Sequence, residues 1–371
     1  MGSRKLVLVL VGLLVACSGG TAGPSASPAA IVGSAASSPV PSPVPSPSPS
    51  PTPPPLTLSG LFHPGASFSS DPTHVRTMVA TGDVIPARMV DYYATQKKDF
   101  LWPFRPTADY VKNSDVTFAN LESPLFAGCQ LSTGGFTFCG DARFVAGLQL
   151  DGVDVVNLAN NHTNNYGAGG INSTVDLLNK NGILSCGLGP PAIVDVRGLK
   201  FAFVGYNGVG QAVDREAMKQ GIAFARQQAD IVVVQFHWGK EYERQPMPDP
   251  GVPTPDDPVE IGHLAIDAGA DIVIGNHPHW YQPVEIYKGK LITYAHGNFV
   301  FDQMWSEETR EGVIGTYTFY DKQLIGATWK PIRIYDYGQP RFEDAAYDQK
   351  VLGTMEQASK DLAARLGQPT V

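Results

Sequence analysis

The stretch "DIVIGNHPHW", Asp271 to Trp280, runs from a β-branched apolar segment straight into two histidines one residue apart, His277 and His279. "DIVIG" has the composition of a short buried strand. In an extended segment residues i and i+2 point to one side, so both imidazoles can aim at a single point, which is how a metal is gripped. A lone H-x-H is equally satisfied by a strand-end cap and a solvated loop histidine, so the pair needs partners elsewhere in the chain.

Five more runs of the same kind lie upstream: "RTMVAT" (76–81), "DVTFANL" (115–121), "VDVVNLA" (153–159), "KFAFVGY" (200–206) and "DIVVVQF" (230–236). Stretches with helical spacing, "GGINSTVDLLNKNG" (169–182) and "PVEIGHLAIDAGA" (258–270), stand between such runs. This alternation argues for an α/β sheet. Downstream, "PVEIYKGKLITYA" (283–295) reads as two short strands about a Lys-Gly turn. "VIGTYTFYDKQLIGATWKPIRIYD" (313–336) reads as further antiparallel strands, and "AAYDQKVLGTMEQASKDLAARLG" (345–367) as an amphipathic helix.

The strand ends carry the partners. "TGDV" ends in Asp83 and Val84, "NLES" contains Glu122, "NNHT" holds Asn160, Asn161 and His162, and "FHWG" contains His237. In open α/β sheets ligands sit outside the carboxyl ends of the strands, so these groups are expected to meet at one rim. Each has an ordinary structural alternative as a cap, turn or core residue. Their joint occurrence at successive strand ends points instead to a metal site. Mixed oxygen and imidazole donors suit one or two divalent ions, Mn, Fe or Zn, and argue against a closed structural zinc site, which would recruit cysteines.

Composition agrees with a globular body. Of 371 residues 43% are hydrophobic, enough for a sizeable core, and the net charge of −8 argues against a nucleic-acid partner. Residues 1–16, with Arg4 and Lys5 ahead of "LVLVLVGLLVA", read as a signal peptide. "LVAC" then resembles a bacterial lipobox, which makes Cys17 the lipidated first residue of an exported protein anchored to the outer face of the membrane. Residues 17–55, ending in "PSPVPSPSPSPTPPP", form a Pro/Ser-rich stalk, and the body occupies 56–371. Cys129 and Cys139 flank "QLSTGGFTF", whose Gly-Gly suggests a hairpin bringing them within disulfide reach, with Cys186 left as a buried thiol.

The motifs "TGDV", "NLESPL", "LANNHTNNYG", "HWGKEY" and "DAGADIVIGNHPHWYQPVEIYKGKLITYAHGNFVFDQ" resemble the CapA/PgsA family of poly-γ-glutamate capsule-synthesis proteins, within the calcineurin-like metallophosphatase superfamily. The resemblance covers roughly residues 76–305. It implies a four-layer αββα sandwich with two facing mixed β-sheets. It further implies that Asp83 binds a first metal, that Glu122 bridges, that Asn161, His237 and His277 bind the second, and that His279 faces the first. His162 becomes the catalytic acid. Where that superfamily's first motif carries a histidine, this chain has Ile85, so the first position lacks a ligand. The implied role is capsule production or export, either as a metal-dependent hydrolase acting on a phosphoester or on the capsule polymer, or as a non-catalytic polymer-binding or assembly subunit working with membrane capsule-synthesis subunits. For polymer carboxylates Arg88 and Arg105 are the candidate binding groups. The proline-rich "PMPDPGVPTPDDP" (246–258) is expected at the rim.

Overall fold

A computed structural model describes residues 53–65, 68, 71–251 and 255–370. The signal segment, Cys17 and nearly all of the stalk lie outside the described residues. In chain order the strands are β1 (Val75–Val84), β2 (Val116–Leu121), β3 (Leu125–Phe126), β4 (Gly140–Asp141), β5 (Val155–Asn157), β6 (Leu184–Cys186), β7 (Ala192–Val196) and β8 (Leu199–Asn207). They continue with β9 (Ile231–His237), β10 (Ile272–Asn276), β11 (Val284–Tyr287), β12 (Lys290–Thr293), β13 (Asn298–Val300), β14 (Glu311–Tyr320), β15 (Gln323–Tyr335) and β16 (Gln339–Arg341). The five upstream runs and "DIVIG" itself all contain strands.

One sheet has the order β16-β15-β14-β1-β2-β5-β6, with β13 also beside β1; the other has the order β11-β12-β10-β9-β8-β7. Both are mixed. β1, β2, β5 and β6 run parallel while β14 to β16 add antiparallel strands; in the second sheet β8, β9, β10 and β12 are parallel between antiparallel β7 and β11.

The period of two along each strand divides the core into layers. Met78, Ala80, Val116, Phe118 and Val155 of the first sheet pack face to face with Phe201, Phe203, Ile231, Val233, Ile272 and Ile274 of the second. Across that interface the rings of Phe118 and Phe203 lie 5.0 Å apart and those of Phe201 and Phe319 5.3 Å apart. The intervening residues point outward to helices. Val79, Ala119, Leu121 and Val156 lie under α1 (Met89–Lys97), α2 (Val145–Leu150) and α3 (Gly167–Lys180), and Ala202, Val204, Val232, Val234 and Val273 lie under α4 (Arg215–Arg226) and α5 (Pro258–Asp267). This is the four-layer αββα sandwich of two facing mixed sheets. A last helix, α6 (Ala345–Arg365), is started by the Asp344 side chain accepting from the Tyr347 amide and places Val351, Met355 and Ala363 in the inter-sheet core. At the end of the sandwich away from the strand carboxyl termini, Arg76 of β1 donates to the carbonyls of Val196 and Arg197 in the other sheet's β7 hairpin.

The Cys129–Cys139 segment differs from the expected hairpin. Its flanks, β3 and β4, pair parallel, because the 127–139 loop is long enough to cross over and return in the same direction. The two cysteines are joined, with Cα atoms 5.9 Å apart. Cys186 is a buried free thiol, its pKa pushed up by burial. The proline-rich stretch ends with Asp257 capping α5 and Pro258 in its first turn.

Candidate metal centre

Asp83, Glu122, Asn161, His162, His237, His277 and His279 converge where the parallel strands of both sheets end. Two glycines make the approach feasible. A Cβ on Gly82 would stand 2.1 Å from the Gly297 carbonyl oxygen, the group that accepts the Asp83 amide at 2.9 Å. A Cβ on Gly205 would meet Asn157 Oδ1 at 1.9 Å. The loop after β10 is strained in a way that serves the site: His277 has φ 100° and His279 φ 58°, a region non-glycine residues enter at a cost of roughly 1–3 kcal/mol each. That turn, rather than simple extension, brings the two rings to one place, their centroids 5.9 Å apart.

Amides hold the carboxylate and the rings. Asp83 Oδ1 accepts from Asn120 Nδ2 at 2.8 Å and from Asn276 Nδ2 at 2.9 Å. Asn157 donates to Asn120 Oδ1, and Gln235 donates to Asn276 Oδ1. His279 Nδ1 lies 2.9 Å from Asn298 Oδ1 and 3.2 Å from Asp83 Oδ2. His237 Nε2 lies 3.0 Å from Asn161 Oδ1 and 3.1 Å from Glu122 Oε1.

Both oxygens of Glu122 and Nδ1 of His277 are buried without any hydrogen-bond partner, and Asp83 Oδ2 has only the long 3.2 Å approach of His279 Nδ1. Glu122 is 0% exposed, and burial followed by the nearby Asp83 charge pushes its carboxyl well above the ordinary value. Burial likewise holds His237 down at about 3 and His277 well below the usual histidine value. At His279 burial opposes protonation, but the Asp83 hydrogen bond and the charges of Glu122, Asp83 and Glu241 outweigh it and raise the ring to about 9. An uncompensated buried carboxylate costs several kcal/mol, so donor atoms left bare in this way suit a cation. Three groups have their ligand atoms within 4.8 Å of one another: Glu122–His237–His277, Asp83–Glu122–His279 and Glu241–His277–His279. These groups, buried apart from Glu241, could hold a divalent metal. Ile85 contributes none; it packs in a small apolar cluster with Ala87, Phe138 and Phe301.

His162 sits beside the donors. Its Nδ1 is 3.0 Å from Asn165 Oδ1, an oxygen that also accepts the Phe138 amide at 2.6 Å, so Nδ1 carries the hydrogen and Nε2 the lone pair. The Phe138 ring covers the imidazole at 4.1 Å, and burial lowers His162 to about 4. A cavity of about 530 Å³ opens next to Asn161, lined by Asn160, Asn164, Asn207, Gln211 and Asp214 among others, with no lysine or arginine.

The two arginines do not serve as free cations. Arg88 is buried in a pair with Asp302, donates to the Gly135 carbonyl and stands over the rings of Phe138 and Phe301. Arg105 is paired on the surface with Asp99 and reaches none of the centre's residues. The residues that reading strand ends missed are Asn120, Asn276, Asn298 and Glu241. All stood in quoted motifs, but their roles depend on which neighbour each faces across strands.

The fold and the site define a two-sheet α/β protein with a buried carboxylate, amide and histidine centre at its strand ends. The family described as "Bacterial capsule synthesis protein PGA_cap" matches residues 77–303, more than half of the chain, and the chain belongs to that family. It is similar to the capsule biosynthesis protein CapA of Bacillus anthracis, 28% identical over 305 residues covering 74% of this chain and 71% of that one. It is also similar to the PGA biosynthesis protein CapA of Bacillus subtilis (strain 168), 31% identical over 265 residues covering 64% of this chain and 66% of that one. Among solved structures, a putative 5'-nucleotidase from Staphylococcus aureus aligns with TM-score 0.43 and 14% identity over 76% of this chain and 58% of that one.

Proposed function

We propose that the protein is an exported, lipid-anchored member of the capsule synthesis family that takes part in making or exporting a poly-γ-glutamate capsule, and that its strand-end centre is a metal-dependent hydrolase site. Glu122 carries the reading: a fully buried carboxyl with neither oxygen hydrogen-bonded, facing His237 at 3.1 Å. Mn, Fe or Zn fits the donor set, with Asp83, Glu122, Asn161, His237, His277 and His279 as ligands. Such an ion, when bound, supplies Lewis acidity and lowers the pKa of water.

The chain's own residues do the rest. Asn165 and Phe138 fix the His162 tautomer, so its Nε2 accepts the proton of the attacking water and passes it to the leaving group. Neutral at pH 7, His162 begins as the base and becomes the acid only after that transfer. The cavity beside Asn161 offers amide donors and acceptors without cationic groups, which suits the amide backbone of a polymer better than a phosphoester. Pairing of both arginines removes the basis for a pocket built to grip polymer carboxylates through Arg88 and Arg105. Cys17 acylation and the 17–55 stalk would hold the body above the membrane, where no helix of the described residues is long and apolar enough to cross.

The test is metal analysis of the purified full chain, then assays on phosphoesters and on poly-γ-glutamate with Mn, Fe or Zn added back. Metal-dependent turnover of either substrate supports the reading. Bound metal with no turnover of either would replace it with that of a polymer-binding or assembly subunit.

A further inference from the structure

Glu241 is absent from the ligand set proposed above, yet the chain is built to bring it to the histidines. The loop after β9 is tied to the loop after β10 by two backbone bonds: the Trp238 amide donates to the Asn276 carbonyl at 3.2 Å and the Tyr242 amide to the Pro278 carbonyl at 2.9 Å. Tyr242 takes φ 59° to make that contact, and its hydroxyl accepts from Gln303 Nε2. Glu241, held between these ties, places Oε1 3.8 Å from His279 Nε2.

The tautomer of His279 decides what Nε2 offers. Asn298 donates through Nδ2 to the Thr309 carbonyl and to Gln303 Oε1, so its Oδ1 is the atom turned to His279. Nδ1 of His279 therefore faces two acceptors, Asn298 Oδ1 and Asp83 Oδ2, and keeps its hydrogen. A neutral His279 then has its lone pair on Nε2, directed at Glu241 rather than at Asp83. His277, 2% exposed and with Nδ1 unpartnered, completes the group within 4.8 Å.

We infer that Glu241 is a metal ligand, holding a divalent cation at the mouth of the centre together with His279 Nε2 and His277. The 41% exposure of its side chain makes it the ligand an incoming ion meets first, with the asparagine at position 298 fixing the ring behind it. The inference rests on the metal-centre reading above. Its test is titration of the metal-free full chain with Mn(II), followed by calorimetry, and with Co(II), followed by its visible absorption. Glu241→Gln should lose one bound equivalent or bind at least ten-fold more weakly, with a changed Co(II) spectrum, while Glu243→Gln, two residues on and paired with Lys240, should match the wild type. Circular dichroism checks that each variant is folded. Wild type that binds neither ion overturns both this inference and the reading it rests on. Wild type that binds, with Glu241→Gln unchanged in stoichiometry, affinity and spectrum, overturns this inference alone.

Discussion

Glu122 and Glu285 are the same residue type, 0% and 2% exposed, and they are treated in opposite ways. Glu285 on β11 receives His263 Nε2 and Gln368 Nε2 at one oxygen and the Tyr294 hydroxyl at the other. Burial pushes its pKa up, but these donors outweigh burial and hold it below the ordinary carboxylate value. Glu122 receives nothing, and its pKa rises. A satisfied buried carboxylate ties structure together, here Gln368, beyond the last helix, to the second sheet. A bare one is a position kept free for something the chain does not contain.

That contrast can be broken most severely at the centre. Glu122→Gln, and likewise His277→Ala, should lose metal and activity together, affinity falling by more than the 10–100-fold typical of outer partners, while the metal-free protein melts no earlier than wild type. Metal content and a thermal melt of the stripped protein decide it; an early melt would make Glu122 structural like Glu285. Next in size, His162→Ala should keep its metal yet lose roughly 10²–10⁴-fold in turnover, on the order of 3–5 kcal/mol of barrier, measured on whichever substrate the wild type hydrolyses. Equal turnover by wild type and variant would remove His162 from the chemistry.

At the other carboxylate the effect should fall on stability alone. Glu285→Gln turns an acceptor into a donor facing donors and should cost about 1–3 kcal/mol of unfolding free energy, with metal content unchanged. Acid sharpens the point. Because the folded pKa of Glu285 is depressed, its contribution is complete above the ordinary value of 4.5 and is lost as pH falls through the lower folded value. The gap in urea midpoint between wild type and Glu285→Gln should therefore be constant above pH 5 and shrink below 4.5; a gap independent of pH would mean the carboxylate's charge is irrelevant. Smallest of all, Arg105→Ala should change stability by less than about 0.5 kcal/mol and leave metal binding and turnover untouched.

Most of the fold was legible because its parallel strands are buried on both faces and announce themselves as β-branched runs, as in "DIVVVQF" and "DIVIG". The strand ends were legible for the same reason, since an aspartate, glutamate or histidine that ends such a run stands out. Partners across the chain were not. Arg88 reads as a free cation close to Asp83 until Asp302, more than two hundred positions away, takes its guanidinium. Asn120 and Asn298 give no sign of their roles until the register sets Asn120 against Asp83 and the β13 insertion brings Asn298 to His279. The Cys129–Cys139 pairing was readable from spacing, whereas the parallel course of β3 and β4 depends on long-range packing.

The amides around Asp83 also have a mechanical meaning. The chain of bonds from Asn157 through Asn120, Asp83 and Asn276 to Gln235 begins in one sheet and finishes in the other. Sliding one sheet past its neighbour by a single residue, about 3.3 Å, would break the Asp83–Asn276 bond, the link of this chain that crosses between them. The far end of the sandwich is pinned as well, by Arg76. Shear between the sheets is therefore blocked at both ends, and the centre works as a fixed jaw. Whatever adjustment a ligand requires falls to the loops, where Phe136 and Trp305 stand exposed.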